Sequence, residues 1–423
     1  MTSAALPGSP AASGACCEEF ARVSRRGLLG GALALAGTAT AIGSAVVTAS
    51  PARAASADSV LVVLSLRGAA DGLSLVVPHG DPVYYEARPR IAVPAASLVA
   101  KDDMFGLHPN LAPLLPLWRS GRLAAVHATG LHAPNRSHFA AMEEVEDANP
   151  GSAARQGWLN RLIGTDANRS PLQAVNLGGG VLPASLYGVE PVMSTGSVDA
   201  VSIPGDDKWD TKGGRVRSLH TLWDGESGPL GRAVGSAFSA VKSFGPARET
   251  PDRAASYPRS DLGRALAEVA RVVRGDVGVE VVTVDQGDWD MHSDLGTLEW
   301  GRMKRNAEDL AASIAAFFAD LGGLASKVTL VTISEFGRRV VENDSTGLDH
   351  GYGNVMLLAG AGVKGGRYYG TWPGLAGTLD ADLLVTTDYR SVLAEVVSTR
   401  FGASTAKVFP GFRPESVGVM TSL

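Results

Sequence analysis

The stretch KVTLVTISEFGRRVVENDSTGLDHGYGNVMLLAGAGV, Lys327–Val363, decides how this chain is read. Its first part, KVTLVTI, is an apolar run of strand length that stops at Ser334-Glu335. Its last part, VMLLAGAGV, is a second such run, preceded by Asp349-His350-Gly351. Apolar runs without alternation mark strands buried on both faces, as in a sheet covered by helices. An acid therefore ends one buried strand, and an Asp-His pair stands just before another.

The same pattern recurs outward from this stretch. SVLVVLSL (Ser59–Leu66), AAVHATG (Ala124–Gly130), PLQAVNLG (Pro171–Gly178) and VEVVTVDQG (Val279–Gly287) read as further buried strands. Between them lie helical patterns. Leu111, Leu114, Leu115 and Trp118 have helical spacing, and Gly121 closes that segment. Ser137 is placed to cap a helix running to Glu146, a long amphipathic helix is expected over Leu295–Leu321, and TDYRSVLAEVVSTRFG forms a C-terminal one. Residues 180–256 are rich in Gly, Ser and Pro, with one helical stretch at Gly228–Phe244, and read as a cap or insertion. There are no internal repeats. Strand and helix alternate, so the fold class is α/β with a mostly parallel sheet flanked by helices, built as a single domain over residues 55–423.

Ligands of such sheets bind beyond the carboxyl ends of the strands. The polar residues there are Arg67 and Asp71 after the first strand, and Arg136, Ser137 and His138 after the second. Asp290 and His292 follow VVTVDQG, Glu335 follows VTLVTI, and His350 precedes VMLLAGA. Carboxylates and imidazoles in this number suit a divalent cation: Zn²⁺, Mn²⁺, Mg²⁺ or Ca²⁺. Each has a plainer reading. Asp71-Gly72 also fits a turn, Asp290-x-His292 a solvated loop, Glu335 a partner of Arg338 or Arg339, and Asp349-His350 a loop tip. His79, His108, His127 and His220 read as structural, with His127 a hydrogen-bonded core residue.

The N-terminal 54 residues carry a separate signal. Ser24-Arg25-Arg26-Gly27-Leu28-Leu29 precedes the weakly apolar run GALALAGTATAIGSAVV, and Ala52-Arg53-Ala54 follows it. This order predicts a twin-arginine export peptide, cleaved to leave a mature form outside the membrane, in the extracellular or periplasmic space. Both cysteines, Cys16 and Cys17, lie within it, so the mature chain has neither disulfide nor thiolate ligand. Its loss takes away four Arg and two Glu and moves the formal charge from −5 to −7. No basic stripe suits a nucleic acid.

The segments LRGAADGLSLVVP, LHPNLAPLLPLWRSGRLAAVHATG, NRSHF, GWLNR, DWDMH, SEFGR and DHGYGNVMLLAGAGVKGG, spread over Ser59–Phe401, resemble the uncharacterised secreted family called domain of unknown function 1501. That family is similar in turn to the alkaline phosphatase and sulfatase superfamily. The resemblance implies an alkaline phosphatase-like fold, with metal ligands at Asp71, Asp290, His292 and His350 and a nucleophile at Ser137. Where the superfamily ends its penultimate strand in Asp-His, this chain has Ser334-Glu335. One imidazole is lost there and the acid is longer by a methylene, which points to a single metal or a rearranged pair.

The expectation is a secreted metal-dependent hydrolase of phosphate or sulfate esters, small or polymeric. Metal would be bound by Asp71, Asp290, His292, Glu335 and His350, Ser137 would be the nucleophile, and Arg136 or Arg67 would hold ester oxygens. A nucleophile derived from cysteine is excluded. The alternative is a non-catalytic secreted protein that keeps the fold and at most a structural metal.

Overall fold

The computed structural model describes residues 56–168, 170–178, 182–203, 210–226 and 228–421, together with the backbone of two short strands, Ala39–Ile42 (β1) and Ala45–Thr48 (β2). The other strands are β3 (Val60–Leu66), β4 (Val76–Val77), β5 (Gly106–Leu107), β6 (Leu123–Gly130), β7 (Ala174–Leu177), β8 (Met193–Thr195), β9 (Val281–Gln286), β10 (Val328–Ile333), β11 (Asn354–Gly360), β12 (Tyr368–Tyr369) and β13 (Thr387–Asp388). Eleven of them form one sheet in the order β1-β2-β8-β7-β9-β3-β10-β11-β6-β12, with β13 also paired to β6, while β4 and β5 pair separately.

The centre of this sheet is parallel. β8, β7, β9, β3 and β10 all run the same way. β3 and β10 are buried along their whole length, as their unbroken apolar runs require. Helices cover both faces. Asp261–Gly275 and Arg302–Leu321 pack into one core with Val62, Leu64, Val282 and Leu330. Tyr389–Phe401 and Trp158–Ile163 pack into the other with Leu61, Val63, Val331 and Met356. The α/β class with a mostly parallel sheet is thus observed.

Strand direction positions the functional edge. β11 runs antiparallel to β10, and β6 antiparallel to β11. The start of β11 therefore lies at the same edge as the carboxyl ends of β3, β9, β10 and β6. That is why His350, before a strand, meets residues that follow strands.

Three segments differ from their sequence reading. Leu107–Leu123 is not one helix: Pro109–Leu114 is a 3₁₀ turn leading into a short helix, Leu115–Arg119. Pro109, Pro113 and Pro116 each lack the N–H that a continuous α-helix needs. The helix expected from Leu295 starts at Arg302, because Gly296 and Gly301 hold positive φ (85° and 112°) and fold the chain back before it. Part of the expected cap belongs to the sheet. β8 extends it beyond β7, and Phe244 and Ala247 are buried against the Asp261–Gly275 side.

The twin-arginine pair, both cysteines and the Ala-Arg-Ala site lie outside the described residues. Within the predicted export segment, β1 and β2 form a hairpin whose second strand pairs with β8 at the outer edge of the sheet. A chain beginning after residue 54 would leave β8 as that edge.

Candidate metal centre

Three histidines and two acids meet where β3, β6, β9, β10 and β11 expose their ends to one edge. His350 Nε2 lies 3.0 Å from His138 Nε2 and 2.8 Å from His292 Nε2. Asp290 Oδ1 lies 3.2, 3.6 and 3.8 Å from the Nε2 atoms of His292, His138 and His350. His138, Asp290 and His350 can therefore hold a metal ion, and His292 stands against the same point. A tetrahedral ion with bonds of 2.0–2.1 Å spaces its donors by about 3.3–3.4 Å, the middle of the observed range.

The outward ring atoms decide what the inward ones offer. His350 Nδ1 is 2.8 Å from the carbonyl of Arg136, which can only accept, so Nδ1 carries the proton. His292 Nδ1 is 3.0 Å from Asp349 Oδ1 and donates likewise. In their neutral forms both rings then turn bare Nε2 lone pairs toward each other at 2.8 Å. Two lone pairs at that distance repel unless a cation or proton lies between them. His138 Nδ1 is buried without a hydrogen bond and faces Glu335 Oε1 at 3.5 Å. Orienting imidazoles through acceptors at the far nitrogen is the usual outer layer of a metal site.

Charges in the cluster are strongly perturbed. Burial opposes a charge on His138, but the Asp290 and Glu335 carboxylates prevail and push its pKa up to about 9. Burial would raise Asp290, yet the neighbouring His138 and His350 rings and the hydrogen-bonded Arg338 guanidinium hold it well below the carboxylate range. Glu335 is buried too, but contacts from His138 and the N–H groups of Gly68 and Ala69 keep it ionised. Without metal, a protonated His138 thus sits between the Asp290 and Glu335 carboxylates.

Two supports hold the loops in register. Glu335 accepts from Gly68 N through Oε1 and from Ala69 N through Oε2, both at 2.8 Å, so its oxygens are engaged by the β3 loop. Gly68 is needed there: its φ is +107°, and a Cβ would lie 2.5 Å from Asp290 N. Arg338, almost fully buried, donates to Ala69 O (2.7 Å), Gly68 O (2.5 Å), Leu348 O (3.1 Å) and Asp290 Oδ1 (2.7 Å). One guanidinium ties the loops after β3 and β9 to the loop that carries His350. Glu335 is therefore not the ion-pair partner of Arg338 or Arg339.

The expected site residues divide. Asp290, His292, Glu335 and His350 come together, with Glu335 behind His138. Asp71 does not join them: both its oxygens are held by Arg88, Oδ2 at 2.5 Å and Oδ1 at 3.0 Å, in a pair sealed from solvent. Arg67 also points elsewhere, to Glu146 at 2.6 Å and Asp285 at 3.0 Å. Ser137 precedes the His138–Asp147 helix, exposed, and its hydroxyl does not cap it. Arg136, His292, Arg339, Asp349, His350, Leu379 and Asp380 line an open cleft of about 440 Å³ over the cluster.

His138 is the member of the candidate metal set that is not among the expected ligands. It follows a strand, but it also opens a helix beside Ser137, and that position masks it as a donor. His127, expected to be hydrogen-bonded, instead stacks on Phe105 at 4.4 Å with its Nδ1 unpartnered, and burial brings its pKa down to about 4.

No curated protein matches the chain. Over residues 245–399, which carry Asp290, His292, Glu335, Arg338 and His350, the chain matches the family described as "Protein of unknown function (DUF1501)".

Proposed function

We propose that the protein is an exported hydrolase of phosphate or sulfate esters that uses one divalent metal ion. The observation that carries this reading is the convergence of three imidazole Nε2 atoms and Asp290 at the floor of an open cleft. A donor set of three nitrogens and one carboxylate favours Zn²⁺ over Mg²⁺ or Ca²⁺, which take oxygen ligands. His138, His292, His350 and Asp290 would hold the ion, and Glu335, Asp349 and the Arg136 carbonyl would orient the rings. A bound divalent ion supplies charge stabilisation to an ester oxygen.

Ser137 is the proposed nucleophile. It lies between Arg136, whose carbonyl accepts from His350, and His138, and it starts a ten-residue helix. Its hydroxyl is exposed and makes no hydrogen bond among the described residues, leaving the oxygen available for attack. The resemblance to the alkaline phosphatase and sulfatase superfamily supports the same chemistry.

One observation favours a second reading, a structural ion in a non-catalytic protein. His138, Asp290 and His350, with His292 beside them, would supply most of a tetrahedral shell from protein donors alone, as structural zinc sites do. Metal analysis of the purified mature protein, followed by assay on phosphate and sulfate ester panels, separates the two. The hydrolase reading expects about one zinc per chain and turnover that Ser137→Ala removes. Metal at that level with no turnover on any ester would leave the structural reading.

A further inference from the structure

We infer that Arg136 and Arg339 form a paired receptor for a tetrahedral oxyanion, a phosphoryl or sulfuryl group, with Asp382 as the positioning residue that holds both guanidinium groups in place. This rests on the metal reading above and adds the residues of the same cleft that would hold the oxyanion.

Both arginines line the cleft beside His292 and His350. Arg136 Nη2 donates to Asp382 Oδ2, and Arg339 Nη1 donates to Asp382 Oδ1 at 3.1 Å and to the carbonyl of Asp380. The Asp382 side chain is only 10% exposed, so one nearly buried carboxylate fixes two cations. Among the described residues, Nε and Nη1 of Arg136 and Nε and Nη2 of Arg339 make no hydrogen bond. Each guanidinium thus keeps two nitrogens with N–H groups to offer, and a planar fork suits tetrahedral oxyanions. Arg136 is also tied to the metal centre through its own backbone, whose carbonyl accepts from His350 at 2.8 Å.

Charge makes this receptor conditional. Arg136 and Arg339 face Asp382, Asp349 and Asp380, three acids against two bases. Without metal the cleft has no surplus positive charge to attract an anion. A divalent cation at the floor shifts the balance by one positive charge even when it displaces the proton on His138. Oxyanion binding should therefore require metal, and metal should bind more tightly when the oxyanion is present, because the coupling is reciprocal.

The test is calorimetry on the full mature chain. Zn²⁺ alone is first titrated into metal-stripped protein. Inorganic phosphate is then titrated into protein carrying one equivalent of zinc, for wild type, Arg136→Gln, Arg339→Gln and the remote charge control Arg413→Gln. Expected are zinc uptake near one per chain in all four proteins and phosphate binding only after zinc loading. Each cleft variant should weaken phosphate by about tenfold to a hundredfold, the range for a lost charge-assisted hydrogen bond, and the control by less than about twofold. If Arg339→Gln fails to fold, the exposed Arg136→Gln carries the comparison alone. Zinc uptake with phosphate affinity unchanged in the cleft variants overturns the receptor while sparing the metal centre. Absence of zinc uptake overturns both, and phosphate binding of equal strength without zinc overturns the charge argument.

Discussion

Replacing Asp71 with Asn separates a metal ligand from a structural ion pair. The resemblance places Asp71 among the ligands, whereas the structure gives both its oxygens to Arg88. The pair is closed to solvent, at 3% and 0% side-chain exposure. Arg88 also donates to Val340 O at 2.9 Å, Arg339 O at 3.0 Å and Ser74 Oγ at 3.2 Å, so it cannot swing out to water without abandoning these partners. Asp71→Asn keeps the volume and removes the charge. It leaves a buried guanidinium facing a neutral amide, a loss of about 3–5 kcal/mol when one partner of a buried pair is removed. Arg88→Met with Asp71→Asn should lose less than the two single changes together, since no uncompensated charge remains. Its residual cost is the set of carbonyls that Arg88 leaves unpaired, about 1–3 kcal/mol each. The assay is urea unfolding of all four proteins beside zinc titration. The reasoning expects the single variant to lose stability while zinc stoichiometry stays near one. An Asp71→Asn protein that unfolds like wild type but takes up no zinc would refute it and return Asp71 to the ligand set.

Other outcomes follow from the same geometry. His138→Gln should weaken zinc binding more than Glu335→Gln, because the first removes a donor and the second only its orienting partner, a change of about 10–100-fold; equal losses in competition titrations would count against the division. In metal-free protein, His138 has its pKa raised to about 9, so the stability it contributes is fully present below about 6.5 and is lost as pH rises through 9. The size is at most about 3 kcal/mol, and a flat stability profile across that window in stripped wild type, or the same slope in His138→Gln, would contradict it. For export, Arg25→Lys with Arg26→Lys should leave the protein folded inside the cell; normal secretion, followed by blotting of cell and medium fractions, would remove the twin-arginine assignment.

Much of the architecture was legible because strands buried on both faces must be apolar throughout. The runs at β3, β6, β9, β10 and β11 announce themselves in one dimension, and the polar residues that end them are then expected at a sheet edge. Asp290, His292, Glu335 and His350 are legible in this way. An apolar run has no arrow, however. That β11 turns antiparallel, and so carries His350 to the edge where β10 leaves Glu335, depends on strand pairing between distant segments. The division of roles among the acids was equally out of reach. Asp71 is removed from the centre by Arg88, seventeen residues on, and Glu335 is drawn behind His138 by two backbone N–H groups of the β3 loop. Which carboxylate faces a cation and which faces a guanidinium or an amide is settled by competition among neighbours in space. Residue type and spacing along the chain identify the candidates, and only tertiary packing determines which partner each one meets.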